Sequence, residues 1–296
     1  MLKLKIPATS ANIGPGFDCL GVALNIFLEL TIEESDTKQF IWEDKSNIVE
    51  NKNNLIIDTI ETILKNNNSK KCYKITVINN DIPISRGLGS SAAAIVAGVY
   101  CANFLLDNKY SNNELIKIAS NIEGHPDNIV PSIKGGLQIS KKINNEYIID
   151  QINFPKDLTF CILVPDFKLS TKKARKALPK KYKKEDVLFT LSNLGMLINA
   201  FNNNNLKNIK YLLEDKIHQP YRIDLIKDGK KLFKKMDSLN TYGKFISGAG
   251  PTLICLIKDE DILDKLNEYT NSLDTKWKIY KSSINNQGIK LEVDNE

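Results

Sequence analysis

The sequence contains no uninterrupted apolar run long enough to cross a membrane. The longest run, residues 92–106, includes Asn103 and falls short of the roughly 20 apolar residues that a spanning helix needs. The first residues, Met1–Pro7, alternate apolar with basic side chains and lack the apolar stretch and cleavage site of a signal peptide. We therefore expect a cytoplasmic protein with no membrane partner.

Cysteine is scarce and irregularly placed. The five cysteines form no C-x-x-C pair of the kind that binds zinc or makes a redox centre, and their number is odd. They are Cys19, Cys72, Cys101, Cys161 and Cys255. We predict reduced, packed thiols rather than a disulfide framework.

Arginine is also rare, because only Arg86, Arg175 and Arg222 are found among the 41 basic residues. Where an arginine occurs in so lysine-rich a chain, it suggests a need for a planar, bidentate donor, although chance also explains any single one. The net charge of +6 is mild. Lysine-rich faces are usually solvated, so we predict no nucleic-acid partner, and an anionic small substrate fits the charge equally well.

What the chain does contain is a mixture of strand and helix patterns typical of an α+β protein. Its 296 residues allow two domains, which we assign to residues 1–150 and 151–296. In the first, strands are predicted at 2–6, 20–32, 39–42, 74–78 and 137–149, a turn-rich loop at 7–18, and helices at 55–64, after residue 91 and at 112–122. In the second, strands are predicted at 158–164, near 245 and 253, and at 277–282 and 288–293, with helices at 185–202, 221–236 and 260–271. This order predicts an open antiparallel sheet in the second half, with helices on one face.

A glycine- and serine-rich loop, Pro83–Ala93, follows a predicted strand and leads directly into an apolar helix. Glycine lets the backbone approach a ligand closely, and a helix start offers unpaired N–H groups and a positive dipole end. Serine hydroxyls can reach phosphate oxygens or Mg²⁺. The pattern therefore predicts a phosphate-binding loop.

Two other kinds of loop compete with this interpretation. A Walker A loop needs a lysine directly after its last glycine, and no segment of the chain provides one. The dinucleotide pattern G-x-G-x-x-A fits Gly87–Ala92. Asp107, however, lies between two helical patterns rather than at the end of a second strand, where the ribose-binding acid belongs. The dinucleotide interpretation is therefore weak.

The loop resembles the phosphate loop of the GHMP kinases, named for galactokinase, homoserine kinase, mevalonate kinase and phosphomevalonate kinase. Two further blocks agree, Pro7–Asp18 (PATSANIGPGFD) and Ile246–Thr252 (ISGAGPT). Within the superfamily, the first block and Glu123–Asn128 (EGHPDN), followed by Gly135–Gly136, are similar to the homoserine kinases. The resemblance implies a two-domain fold, with an N-terminal domain of the ribosomal-protein-S5-like domain 2 type and a C-terminal ferredoxin-like α/β sandwich. It also implies transfer of phosphate from ATP to the hydroxyl of L-homoserine, giving O-phospho-L-homoserine and ADP.

The same resemblance implies a role for each matching residue. The implied ATP contacts are Asn54 and the loop residues Pro83, Ile84, Ser85, Arg86, Gly87, Leu88, Gly89, Ser90, Ser91, Ala92 and Ala93. The implied substrate contacts are Asn12, Asp18, His125, Arg175 and Arg222, and the implied Mg²⁺ ligands are Ser90, Ser91 and Glu123. Catalytic roles fall to Glu123, through the metal, and to Asn128, which we expect to position the acceptor hydroxyl. The chemistry agrees, since an amino acid offers an ammonium to a carboxylate and a carboxylate to an arginine.

Several interpretations stay open at this point. We favour a structural role for His218 and a helix cap for Asp127, and an ordinary helix start explains Asn54 almost as well as adenine binding does. Another GHMP kinase, such as a mevalonate kinase, is the main alternative function. A non-enzymatic RNA-binding role is more remote, because the lysine-dense segment 168–184 has no aromatic platform. A homodimer is possible on family precedent only.

Overall fold

The computed structural model describes residues 1–43 and 54–293. These residues form two β-sheets with helices packed against them, which confirms the predicted α+β class. The strands are β1 Leu2–Ala11, β2 Leu20–Glu34, β3 Gln39–Trp42, β4 Tyr73–Asn80, β5 Leu137–Ile143, β6 Glu146–Ile152, β7 Thr159–Pro165, β8 Lys244–Ile246, β9 Leu253–Ile257, β10 Trp277–Ser282 and β11 Lys290–Val293. The helices are α1 Leu55–Asn66, α2 Ser90–Leu105, α3 Asn112–Glu123, α4 Ile129–Lys134, α5 Thr171–Lys176, α6 Lys184–Asn202, α7 Ile209–Leu212, α8 Gln219–Arg222, α9 Gly229–Ser238 and α10 Asp261–Asn271.

The first sheet has the order β11-β1-β2-β4-β3. Strand β5 pairs with the first residues of β2, 20–22, and β6 pairs with β5. Strand β1 is longer than predicted, because it continues past Pro7 to Ala11 instead of giving way to a loop. The register between β1 and β2 shifts between Pro7 and Ala8, so the proline sits at a bulge, where its missing N–H is tolerated. Thr9 and Ser10 are fully buried. Their polarity, which favoured a loop, reflects hydrogen bonds to distant segments.

Helix α2 begins at the phosphate loop and is buried on nearly all sides, as its uniformly apolar sequence requires. Its N-cap, Gly89, has a φ of 69°, a left-handed conformation that glycine adopts without strain. Helix α3 begins with a capping box between Ser111 and Glu114 and ends at Gly124, with φ 92°. The start of α2 at Gly89 positions the phosphate loop, and the end of α3 at Gly124 positions the segment after Glu123.

The second sheet has the antiparallel order β10-β7-β9-β8, as predicted. The prediction of helices on one face is wrong. Alternate β7 residues point to opposite faces: Cys161 and Leu163 join a core with α9 and α10, whereas Phe160 and Ile162 join a core with α6 and the first sheet. The single helix predicted at 221–236 is also interrupted, by a 3₁₀ turn at Ile223–Leu225 and by Asp228, which has a φ of 61°.

The two halves are closely joined. Strand β11 pairs with β1 in the first sheet, although the sequence division at residue 150 assigned residues 288–293 to the second domain. The pairing joins Leu2 to Val293 and Lys5 to Lys290, at opposite ends of the chain, so no local signal in the sequence indicates it. The larger hydrophobic core contains buried residues from both halves of the chain. No helix among the described residues is long and apolar enough to cross a membrane.

Candidate active site

A cavity of about 280 Å³ lies where the phosphate loop, the end of α3 and the second half of the chain meet. It is lined by residues from six segments that are far apart in sequence. They are Asn12; Ser85, Gly87, Gly89, Ser90 and Ser91; Glu123, His125, Asp127 and Asn128; Leu169–Thr171 and Arg175; Arg222; and Gly248–Gly250. Most of the residues predicted to bind substrate and phosphate therefore share one cavity.

The phosphate loop is built around two glycines that no other residue could replace without strain. Gly87 has a φ of 80°, and a Cβ there would lie 2.5 Å from the Ser247 carbonyl oxygen. Gly89 has a φ of 69°, and a Cβ there would lie 2.0 Å from Thr9 Oγ1. The loop is held by the end of β8, where Ser247 Oγ lies 2.5 Å from the Gly87 carbonyl oxygen. Ser90 and Ser91, the first residues of α2, line the cavity, and the first N–H groups of a helix have no partner within the helix.

The predicted ATP contacts fall into four groups. Ser85, Gly87, Gly89, Ser90 and Ser91 line the cavity. Leu88, Ala92 and Ala93 are buried in the core beneath it. Pro83, Ile84 and Arg86 line a separate, larger cleft of about 1250 Å³ between the two sheets. Asn54 lines neither and instead caps α1, its Oδ1 accepting from the Ile56 N–H at 3.0 Å.

Arg86 uses its guanidinium to join the loop to the second sheet. Nε donates to the Pro165 carbonyl at 2.9 Å, Nη1 to the Ile84 carbonyl at 3.0 Å and Nη2 to the Asp166 carbonyl at 2.9 Å. A lysine also has three N–H donors, but they leave a single nitrogen, so they could not match three acceptors spread around a planar guanidinium. The planar guanidinium of Arg86 therefore donates to backbone oxygens rather than to a ligand.

Arg175 and Asp18 form a bidentate ion pair across the mouth of the cavity. Nη1 lies 3.0 Å from Oδ2 and Nη2 lies 2.8 Å from Oδ1, and each side chain is a little over one-third exposed. The pair joins the loop after β1 to the short helix α5. Asp18 does not itself line the cavity, so its predicted contact with substrate depends on Arg175 releasing it.

Arg222 lies deeper, with 1% of its surface exposed. Nη1 donates to the Gly248 carbonyl at 2.9 Å, whereas Nε has no hydrogen-bond partner among the described residues. Burial, together with the Arg175 charge, lowers the pKa of Arg222 to about 10, so the guanidinium stays charged at neutral pH. A buried, charged and partly unpaired guanidinium at a cavity wall favours binding of an anion.

Phe17 lies beneath both guanidinium groups, a contact that the sequence did not indicate. Its ring centroid is 5.0 Å from Arg222 Cζ and 5.8 Å from Arg175 Cζ. The other partner of the ring is His218, stacked at 5.3 Å. An aromatic ring in an otherwise small-residue loop was the signal available in the sequence.

His218 is fully buried, and its Nε2–H donates to the Gly14 carbonyl at 2.8 Å. Burial lowers the pKa of His218 to about 4, which keeps the ring neutral at physiological pH. Nδ1 then faces Arg222 Nη1 at 3.4 Å as an acceptor. These contacts fit the structural role expected for this histidine.

Asn12 connects the two sides of the cavity. Its Nδ2 donates to the Gly248 carbonyl at 2.9 Å, and its Oδ1 accepts from the Asp18 N–H at 2.8 Å. Asn12 has a φ of 60°, a left-handed conformation that asparagine tolerates better than most residues. Both polar ends of its side chain are used within the protein, so Asn12 shapes the loop that carries Asp18.

Glu123, at the end of α3, accepts a hydrogen bond from the Ser91 hydroxyl at 2.8 Å. Burial raises the pKa of this carboxyl group, and the Ser91 hydroxyl and the His125 charge partly offset the shift. Ser90, Ser91 and Glu123 thus present hydroxyl and carboxylate oxygens together at the start of α2. Oxygen ligands of this kind suit a hard divalent cation.

His125, Asp127 and Asn128 form a hydrogen-bonded group at the cavity floor. His125 Nδ1 lies 2.6 Å from Asp127 Oδ1, and this bond raises the pKa of His125. Asp127 does not cap the following helix: Asn128 occupies the N-cap position, and no side chain caps that helix. The expectation of a cap is therefore wrong, because the buried carboxylate is used by the histidine instead. Asn128 Oδ1 accepts from the Thr9 hydroxyl at 2.8 Å.

Comparison with known proteins agrees with this geometry. Residues 54–136 match the family of GHMP kinases N terminal domain, and residues 193–271 match GHMP kinases C terminal. The chain is 44% identical to a homoserine kinase of Clostridium acetobutylicum, covering 98% of this chain and 100% of the relative. It is 41% identical to one of Clostridium kluyveri, covering 98% of each.

Solved structures give the same result. A homoserine kinase from Cytophaga hutchinsonii superimposes with a TM-score of 0.86 at 28% identity, covering 98% of this chain and 97% of that one. A mevalonate kinase from Methanococcus jannaschii has the same fold, with a TM-score of 0.68 at 17% identity, covering 96% of this chain and 98% of that one. These matches confirm the predicted two-domain GHMP kinase fold. The identity over the full length shows that the chain belongs to the homoserine kinases of the GHMP kinase superfamily.

Proposed function

We propose that this protein transfers the γ-phosphate of ATP to the hydroxyl of L-homoserine, giving O-phospho-L-homoserine and ADP. The observation that carries the proposal is the division of the cavity into two chemically different ends. One end is the glycine loop and the start of α2, which suit phosphate. The other end has two arginines, and the carboxylate of Asp18 lies beside it, paired with Arg175; these groups suit the two charges of a free amino acid.

The phosphates of ATP would lie on the loop at Gly87–Ser91. The helix dipole and the unpaired N–H groups of α2 favour negative charge there without any lysine in the loop. Glu123, Ser91 and Ser90 fit Mg²⁺, since this ion is usually held by one or two carboxylates together with water and phosphate oxygens. When bound, Mg²⁺ would neutralise charge on the β- and γ-phosphates.

The ion pair between Arg175 and Asp18 would open when the amino acid enters. Each partner is then replaced by an ionic group of the substrate, its carboxylate for Arg175 and its ammonium for Asp18. Because two charge-assisted bonds are broken and comparable ones are made, the exchange need not cost much free energy. Arg222, which is fixed and partly unpaired, would bind the carboxylate from below.

No general base is needed in this arrangement. Asn128 cannot accept a proton at neutral pH, and Nδ1 of His125 is already bonded to the Asp127 carboxylate at 2.6 Å. Phosphoryl transfer depends mainly on alignment and charge neutralisation, so the hydroxyl proton can pass to the transferred phosphate. Asn128 would hold the hydroxyl in line with the γ-phosphorus.

A coupled assay of ADP release tests the proposal. With purified protein, ATP and Mg²⁺, L-homoserine is expected to stimulate ADP release strongly, whereas mevalonate, galactose and single-stranded RNA are not. Asp18→Asn is expected to weaken this stimulation, because it keeps the shape of the side chain but removes the charge that would bind the ammonium. Stimulation by mevalonate and not by homoserine would overturn the substrate assignment.

We also propose a cytoplasmic location, which five free thiols support because disulfides are rare in that compartment. Homodimerisation stays a prediction. Light scattering coupled to size exclusion would test it.

A further inference from the structure

Thr9 lies where strand β1, the phosphate loop and Asn128 meet. Its side chain is fully buried, and its hydroxyl donates to Asn128 Oδ1 at 2.8 Å. Its backbone N–H donates to the Leu88 carbonyl at 3.2 Å. Thr9 is not among the residues that line the cavity, so it touches Asn128 and the loop but would not touch the substrate.

The hydroxyl of Thr9 determines which way the Asn128 amide faces. A carboxylate can only accept hydrogen bonds, so Asp127 Oδ1, at 3.5 Å, favours the Nδ2 end of the amide on its own side. Oδ1 then points away from Asp127 and needs a donor in the buried wall, which the Thr9 hydroxyl supplies. Without that donor the amide would lose the contact that fixes its rotation.

Thr9 also fixes Asn128 relative to the phosphate loop. A Cβ at Gly89, the N-cap of α2, would lie 2.0 Å from Thr9 Oγ1, so the hydroxyl is packed directly against this glycine. The same oxygen therefore contacts the loop that would hold the γ-phosphate and the amide that would hold the acceptor. Between residues 9 and 128 the chain separation is 119 residues, so local sequence does not maintain this contact.

We propose that Thr9 is a positioning residue that aligns the acceptor hydroxyl with the γ-phosphate by locking the Asn128 amide against the phosphate loop. The inference rests on the proposed function, since it acts through Asn128. It deepens that function by adding a residue that belongs to the alignment step rather than to binding.

The test compares Thr9→Val, which keeps the shape and the strand preference but lacks the hydroxyl, with Thr9→Ser, which keeps the hydroxyl. Loss of one buried hydrogen bond predicts that kcat of Thr9→Val falls by about three- to tenfold. The KM values for homoserine and ATP are expected to stay within about twofold, because no binding contact is removed. Thr9→Ser is expected to recover most of the lost kcat. Rates are expressed per nucleotide-binding site, counted by titration, so that unfolded protein does not contribute.

A double-mutant cycle with Asn128→Ala separates positioning from a general structural role. If Thr9 acts through Asn128, then Thr9→Val lowers kcat in the wild-type background and has no further effect in Asn128→Ala. An equal loss in both backgrounds, or an unchanged kcat in Thr9→Val, would overturn the proposal. Thr9→Ala carries the same prediction and replaces the valine variant if that protein does not fold. A wild-type kcat for Asn128→Ala instead refutes the role of Asn128 on which the proposal depends.

Discussion

Replacement of Arg222 by lysine is expected to change the KM for one substrate of the reaction and not the KM for the other. Arg222 is buried, charged and bonded through Nη1 to the Gly248 carbonyl, and its guanidinium lies 5.0 Å from the Phe17 ring centroid. Lysine keeps the positive charge but loses the planar donor that can bind a carboxylate through two parallel hydrogen bonds. The expected defect is therefore in binding of the amino acid.

The size of the defect follows from the number of bonds lost. A hydrogen bond to a charged group contributes roughly 1.5–3 kcal/mol, and every 1.4 kcal/mol is a factor of about ten. Loss of one such bond to the substrate carboxylate raises KM for homoserine by about ten- to hundredfold. KM for ATP is expected to change by less than about twofold, because Arg222 belongs to the amino-acid end of the cavity.

Initial rates of ADP release measure both values, with homoserine varied at saturating ATP and ATP varied at saturating homoserine. Arg86→Lys is the matched control, since it makes the same chemical change at the third arginine, whose bonds go to Ile84, Pro165 and Asp166 carbonyls. That variant is expected to alter KM for ATP or stability, and to leave KM for homoserine unchanged. Equal increases of both KM values in Arg222→Lys, or no increase for homoserine, would refute the reasoning.

Three further predictions follow from the site. Gly89→Ala is expected to lower kcat/KM for ATP by at least tenfold, because its Cβ would collide with Thr9 Oγ1 at 2.0 Å; steady-state kinetics measure this, and wild-type values would show that the loop yields freely. Glu123→Gln is expected to raise the Mg²⁺ concentration needed for half-maximal rate by about ten- to a hundredfold, and an unchanged Mg²⁺ titration would exclude Glu123 as a ligand. His218 binds its proton less tightly in the folded protein than in the unfolded chain, so its contribution to stability is present above the unfolded pKa of about 6.5 and is lost as pH falls toward the folded pKa of about 4. Denaturant unfolding of wild type and His218→Gln is therefore expected to show the wild type losing more stability between pH 7 and pH 4, by about 3 kcal/mol at most, and parallel curves would contradict the burial of a neutral ring.

Much of the fold could be predicted from the sequence because its signals are local. The alternation of β2, the apolar run of α2 and the capping residues of α3 each specify an element within one or two residues. The end of β1 could not be predicted, since Thr9 and Ser10 are polar for reasons that lie elsewhere in the chain. Strand β11 could not be assigned to the first sheet either, because its pairing with β1 joins residues at opposite ends of the chain, such as Leu2 and Val293.

The candidate site was also predictable only in part. The residue types that suit phosphate, Mg²⁺ and an amino acid were recognisable from short motifs, and their roles stay predictions. Asp18 and Arg175, which form an ion pair, are 157 residues apart in the sequence, and no local pattern predicts their contact. The same holds for Phe17 beneath the two arginines and for Thr9 behind Asn128, where each contact depends on how the two halves of the chain pack.

The most direct measurement is ³¹P NMR of the products formed from ATP, Mg²⁺ and L-homoserine. A phosphomonoester signal coupled to the two hydrogens of the terminal CH₂ group, appearing in step with ADP, is the expected result, and mevalonate should give no such signal. ATP that stays unchanged beside homoserine, or a phosphate ester formed on mevalonate instead, would contradict the assignment of this cavity to an amino-acid hydroxyl.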